Sequence, residues 1–259
     1  AVGYAAGAAI TTGTANAVFG RGALDACTTG GYNNAFGYDC LTECTTGSYN
    51  VAMGTFAGNN LTTGGTNTFM GYQAGHYSTA ITTGTDNTCL GAYSHASAAA
   101  ANGQIVLGYN ALGNGNRTVV FGYGSDDTAC DLGGTTWSAP SDVRLKEDIQ
   151  DEKVGLDFIN ELRPVTFRWK KEKDIPEELN THVADSEERV MNGKYNHGFV
   201  AQEVKEVIDK YDFKDGFDMW KEDPTDGRQR VGESALMPIM VKAVQELSAK
   251  VEELEDKLK

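Results

Sequence analysis

Pairs of mostly apolar residues recur along the first half of the chain: Val18-Phe19, Ala35-Phe36, Ala52-Met53, Phe69-Met70, Cys89-Leu90, Val106-Leu107 and Val120-Phe121. Each is followed by a glycine, and Gly3 begins the same ladder. Neighbouring residues of a strand point to opposite faces, so both faces of each short strand are apolar and both need cover. The interior of a coil covers one face, and further copies of the chain most simply cover the other. Between the pairs, Thr-Thr-Gly recurs at Thr11, Thr28, Thr45, Thr62 and Thr82, at spacings of 17, 17, 17 and 20, with an Asn five residues after each start. A fixed period of this length means stacked units, with Gly and Asn at the corners. A disordered Gly/Thr/Asn tract is the competing reading, but it gives no reason for seven apolar pairs to keep register.

The second half follows other rules. Gly155-Leu-Asp-Phe-Ile-Asn-Glu-Leu162 has helical spacing and stops before Pro164. Val165-Thr-Phe-Arg-Trp169 alternates like a strand, residues 171–195 read as a charged loop, and a helical pattern runs from Gly198 to about Tyr211. Phe213 to Gly232 is polar and loop-rich. From Ser234 onward Met237, Met240, Val244, Leu247, Val251, Leu254 and Leu258 alternate steps of three and four, a heptad seam that predicts a coiled coil over 234–259. Lys250 and Glu255 fall where they can pair between chains, while Val at a with Leu at d leans toward two strands. An amphipathic helix packed on its own domain is the alternative.

Composition sharpens the division. Residues 1–140 carry two basic and seven acidic residues, residues 141–259 carry 20 and 29, and the whole chain has a net charge of −14. Neither half has the basic patch that would neutralise nucleic-acid or anionic-membrane phosphates, so neither partner is expected. No apolar run approaches the roughly 20 residues needed to cross a bilayer. With no secretory signal and no initiator Met, the chain reads as a fragment of something longer. All five cysteines, Cys27, Cys40, Cys44, Cys89 and Cys130, precede Ser141. Cys40 and Cys44 could ligate a metal, but small apolar residues filling repeat positions is the preferred reading, and neither metal nor cofactor is expected.

Candidate chemistry lies at the seam, in Ser141-Asp142-Val143-Arg144-Leu145-Lys146. A serine and a lysine five apart stand about 140° apart on a helix and on opposite faces of a strand, so they meet only across a turn or between protomers. For the pair to work, the lysine must be neutral enough to take the serine proton, through desolvation or a neighbouring cation, and Arg144 is near enough in sequence to serve. On spacing alone, a helix-capping Ser141 and a Lys146 solvated in a charged stretch with Glu147 and Asp148 is the preferred reading.

Two resemblances change that balance. The repeat Asn-x-Ala-apolar-Gly-x-x-Ala, at Asn33 to Cys40 and Asn50 to Ala57, resembles the head repeats of trimeric autotransporter adhesins, which are β-rolls, and the Thr-Thr-Gly units resemble phage fibre shafts. Trp137, then Ser141 to Ile149, Gly155-Leu-Asp-Phe158, Leu162-Arg-Pro-Val165, Gly198-Phe-Val-Ala-Gln-Glu-Val204 and Met237-Pro-Ile-Met-Val-Lys-Ala-Val-Gln-Glu-Leu247 occur in order. Together they resemble the C-terminal intramolecular chaperone, or auto-processing peptidase, of phage endosialidases and tail fibres. That resemblance implies a domain that trimerises, guides folding of the fibre ahead of it, and cuts itself off with a Ser–Lys dyad. Carried over, Ser141 is the nucleophile, Lys146 the general base and Pro140–Ser141 the scissile bond, while Asp142 and Arg144 match the motif without an assigned role.

The expected architecture is therefore multidomain: a trimeric all-β solenoid over 1–125, a linker over 126–140, and an α+β chaperone over 141–259 ending in the coiled-coil helix. The expected setting is a virion tail fibre made in the host cytoplasm, a homotrimer that contacts a host receptor or glycan. A cellular trimeric adhesin with the same processing domain is the alternative. A third class, an enzyme acting on host polysaccharide, has little support within these residues, because the solenoid has no paired carboxylates at a recurring spacing that could flank a glycosidic bond. Nine of the eleven tyrosines precede Ser141 and could stack on sugars or simply be ladder residues.

Overall fold

Each apolar pair sits in a three-residue or slightly longer strand, and the strands stack in sequence order. The computed structural model describes residues 1–258 apart from 212 and 214–216, and the chain divides into two units, Ala1–Glu147 and Asp148–Lys259. In the first, β1 (Ala17–Phe19), β2 (Asn34–Phe36), β3 (Val51–Met53), β4 (Thr68–Met70), β5 (Thr88–Leu90), β6 (Ile105–Tyr109) and β7 (Thr118–Tyr123) form one parallel sheet, the wall of a β-solenoid. The pairs split between the two faces as alternation requires. Val18, Ala35, Ala52, Phe69, Cys89, Val106 and Val120 are buried inside, at no more than 1 % exposure. Phe19, Phe36, Met53, Met70, Leu90, Leu107 and Phe121 lie outside, paired in register from strand to strand.

The polar signature residues are the mortar between coils. Asn33, Asn50, Asn67 and Asn87 are buried, and each Oδ1 accepts the backbone N–H of the next ladder residue at 2.9–3.0 Å. Each Nδ2 donates to a carbonyl of the following coil at 2.7–3.0 Å. Thr11, Thr28, Thr45 and Thr62, each the first Thr of a Thr-Thr-Gly, donate their hydroxyls to the equivalent carbonyl one coil on, as in Thr45 to Thr62 at 3.2 Å. The ladder glycines are stereochemical necessities: Gly37 has φ +149°, and a Cβ there would lie 2.4 Å from the Gly54 carbonyl oxygen. The 20-residue interval keeps the β4–β5 register, and its extra residues leave the coil between Gly75 and Ile81.

The segment 126–140, expected as a linker, opens instead with β8 (Asp126–Asp131), which pairs antiparallel with β7. It covers the last parallel edge, where unpaired N–H and C=O groups would otherwise face outward.

In the second unit, α1 (Leu156–Glu161), β9 (Val165–Phe167), β10 (Asn196–Gly198), α2 (Ala201–Ile208), β11 (Trp220–Glu222), β12 (Gln229–Val231) and α3 (Leu236–Lys257) surround a core of Phe158, Leu162, Val204, Val207, Met219, Leu236 and Ile239. Two expectations are corrected. Gly198 does not open a helix, because Asn196–Gly198 pair antiparallel with β9 and the helix starts at Ala201. Within the loop expected over 213–232, β11 and β12 pair antiparallel. Part of that loop, at 214–216, and the final residue of the coiled-coil expectation, 259, lie outside the described residues.

The ordered motifs interlock. Glu246 of α3 accepts the Leu156 N–H at 2.9 Å, capping α1, and a Cβ on Gly155 would meet the same carboxylate at 2.6 Å. Arg163, before β9, grips Glu203 of α2 with two hydrogen bonds. In the loop over 171–195, Lys171 and Lys173 both pair with Glu187 and hold its carboxyl down at about 2.

Candidate functional site

The approach to the seam is tied to the end of the solenoid. Ser138 and Ala129 exchange backbone hydrogen bonds at 2.8 and 2.9 Å, and the Trp137 ring lies 5.5 Å from that of Phe121. Two residues later the chain reaches Pro140–Ser141, and residues 131–150 are exposed throughout.

Neither helix nor strand continues past Ser141. Asp142 stands in an extended conformation as the N-cap of a single 3-10 turn, Val143–Leu145, and its carboxylate accepts the Arg144 N–H at 2.8 Å. Leu145 N–H donates to Asp142 O at 3.0 Å and Lys146 N–H to Val143 O at 3.2 Å, so the backbone doubles back. The reversal carries Lys146 Nζ to 2.7 Å from Ser141 Oγ within one chain. Within the single chain, the turn is enough to bring the pair together.

Arg144 takes a different place from the one its sequence position suggested. Its Nε reaches both Asp142 carboxylate oxygens, at 3.0 and 3.1 Å, and Nη2 reaches Oδ2. The guanidinium and the Arg144 amide hold the Asp142 carboxyl below its usual range, and the carboxylate in turn raises Arg144. A cation neutralised in this way is a poor means of driving a proton off a neighbouring amine, which leaves desolvation as the physical route. The Asp142–Arg144 pairing was not foreseen from sequence, although an Asp preceding a turn is a readable N-cap signal.

The cysteines serve packing. Cys40 and Cys44 are buried and direct their thiols toward different carbonyls, Gly37 O and Gly47 O. Burial pushes both thiols up to about 12, above the usual thiol range. The tyrosines form a ladder: the rings of Tyr38, Phe56, Tyr72, Tyr93, Tyr109 and Tyr123 follow one another at 5.2–6.5 Å along the outside of the solenoid.

Two apolar tracks stay uncovered within the single chain. The outer sheet row has Phe19, Met53, Leu90 and Phe121 at 43–48 % exposure. On α3, Leu236, Ile239 and Ala243 face the core, whereas the heptad residues Met237, Met240, Val244, Leu247, Val251, Leu254 and Leu258 are 46–87 % exposed. The helix therefore packs on its own unit through a face other than the heptad seam. No helix among the described residues is long and apolar enough to cross a membrane.

No curated protein and no solved structure matches the chain. A family model does match, described as chaperone of endosialidase, over residues 141–213, and its first residue is the serine that Lys146 contacts. From Ser141 to residue 213 the chain is thus similar to the chaperone of endosialidase, a self-cleaving chaperone domain, and what precedes it is a parallel β-solenoid.

Proposed function

We propose that this chain is the distal part of a trimeric phage tail fibre, in which the C-terminal chaperone assembles three copies and then removes itself by cutting Pro140–Ser141. The observation that carries the reading is the 2.7 Å contact between Lys146 Nζ and Ser141 Oγ at the first residues of the chaperone match. As drawn, the amine donates to the hydroxyl. With a neutral amine the same contact runs in reverse, and the Oγ proton passes to Nζ.

Ser141 Oγ then attacks the Pro140 carbonyl carbon. The C–N bond breaks, Lys146 returns the proton to the departing Ser141 nitrogen, and Pro140 is left as an ester on Oγ. Water opens the ester with Lys146 again taking and returning a proton, giving a Pro140 carboxylate and a Ser141 that carries a free amine and hydroxyl. The bond that is cut is the nucleophile's own peptide bond, present once in each chain, so each chain reacts once and no pocket for an external substrate is needed.

Timing follows from burial. Ser141 and Lys146 are both exposed in the single chain. In the proposal, association of copies at the seam removes that water and makes the amine a base, so cleavage waits for assembly. The two apolar tracks supply the association surfaces. The outer row is seven strands long, about 29 Å at roughly 4.8 Å per strand, and contiguous apolar patches of that kind mark interaction sites. A clamp of associated helices raises the effective concentration of solenoid chains that must otherwise find register slowly.

The test is expression of the full chain beside Ser141→Ala and Lys146→Ala, with denaturing electrophoresis and fragment masses. Wild type yields pieces ending at 140 and beginning at 141, and both variants stay whole. A wild type that never cuts, or a Ser141→Ala chain that cuts at the same bond, overturns the reading.

A further inference from the structure

We infer that Asp142, clamped by Arg144, is the positioning residue of the Ser141–Lys146 pair; the inference rests on the reading of that pair as the cleaving dyad. The contact between Ser141 and Lys146 depends on a backbone reversal that nothing else nearby enforces. The turn contains no proline, no glycine and no buried side chain. Its two backbone hydrogen bonds, Leu145 N–H to Asp142 O and Lys146 N–H to Val143 O, are exposed to water. An isolated exposed turn of this length has little stability of its own.

The Asp142 carboxylate supplies what is missing. One oxygen takes the Arg144 N–H, the donor left orphaned at the start of the turn, and both oxygens take the Arg144 guanidinium. The fork closes a small ring through side chain and backbone. The cap sets the direction in which the chain leaves Ser141, and Lys146 leaves the turn with φ −120° and ψ 141°, aimed back at the serine. Asp142 touches neither the scissile carbonyl nor the hydroxyl, so it acts through Lys146 rather than on the reacting atoms.

The test follows cleavage of the full chain over time in a cell-free translation reaction, comparing wild type with Asp142→Ala, Asp142→Asn, Arg144→Gln and Ser141→Ala. Asp142→Ala is expected to slow the appearance of fragments by roughly tenfold to a hundredfold, the cost of a misplaced catalytic group. Asp142→Asn keeps an oxygen on the Arg144 N–H and is expected to recover most of the rate, while Arg144→Gln falls between. Each substitution is repeated in the uncleavable Ser141→Ala chain, where unchanged circular dichroism and assembled mass show that the fold is intact. Rescue by Asn with an unchanged fold is the mark of positioning. Asp142→Ala cutting at the wild-type rate, or Asp142→Asn cutting no faster than Asp142→Ala, overturns the inference and leaves the dyad standing. Fragments from the Ser141→Ala chain instead overturn the dyad itself.

Discussion

Asn50→Ala should be among the most damaging single changes in the solenoid, out of proportion to the few atoms it removes. The side chain is fully buried, and its amide makes four hydrogen bonds: to Gly64 O at 3.0 Å, to Asn33 Oδ1 at 3.1 Å, and from Asn67 N and Nδ2 at 3.0 and 3.1 Å. Alanine leaves the Gly64 carbonyl and the Asn67 N–H with no other hydrogen-bond partner among the described residues. Asn33 Oδ1 keeps the Asn50 N–H, and Asn67 Nδ2 keeps Gly84 O, so those two groups lose less. Orphaning two buried backbone groups at roughly 1–3 kcal/mol each puts the loss at about 2–6 kcal/mol. For a unit of this size that corresponds to a fall in melting midpoint of at least about 4 °C. The measurement is thermal melting by circular dichroism in the Ser141→Ala background, so that one covalent species is compared throughout. Asn60→Ala is the control, because Asn60 is half-buried and its side chain makes one exposed hydrogen bond among the described residues, to Glu43 at 3.3 Å, a change worth within about 0.5 kcal/mol. Equal midpoints for the two variants would refute the ladder as the mortar between coils.

Other consequences are equally direct. Val251→Asp on the exposed heptad seam should lower the assembled mass in sedimentation without changing helix content, whereas Ile239→Asp, at 1 % exposure, should unfold the second unit; an unaltered mass for Val251→Asp would remove the seam as an interface. Thr66 is β-branched, exposed and held at φ +58°, so Thr66→Asn should stabilise the solenoid by about 0.5–1 kcal/mol, read as a raised melting midpoint. Burial lowers the titration of His95 and His76, opposed by the Ala96 carbonyl and by Glu43 respectively. An unfolded histidine titrates near about 6.5, so below that pH the unfolded chain binds more protons and stability is lost as pH falls through 6.5 toward the lower folded value. His95→Gln should flatten this slope in melts between about pH 7 and 5, and a slope unchanged by the substitution would refute it.

The repeat was legible because its grammar is local. An apolar pair before a glycine specifies a short strand with one row in and one row out, and Val18/Phe19 through Val120/Phe121 obey it in every coil. The α3 helix was legible for the same reason, from a periodicity contained within it. Elements that depend on distant partners were not. Asn196–Gly198 read as the start of a helix until β9, about thirty residues earlier, is available to pair with it, and the β11–β12 hairpin has a sequence that is merely polar. Glu246 looks like one more charge on a helix, and only the fold places it on the N-terminus of α1.

At the seam the same division holds. Residue types and a resemblance singled out Ser141 and Lys146, but their spacing on any regular element keeps them apart. The sequence by itself determined the stacking period, the two apolar tracks and the residues worth watching, since each is written in neighbouring side chains and their alternation. The tertiary structure decided which helix face stays exposed, how the last solenoid edge is closed, and that one capped turn brings an amine to a hydroxyl. Those outcomes rest on hydrogen bonds and burial between residues whose partners no local pattern names.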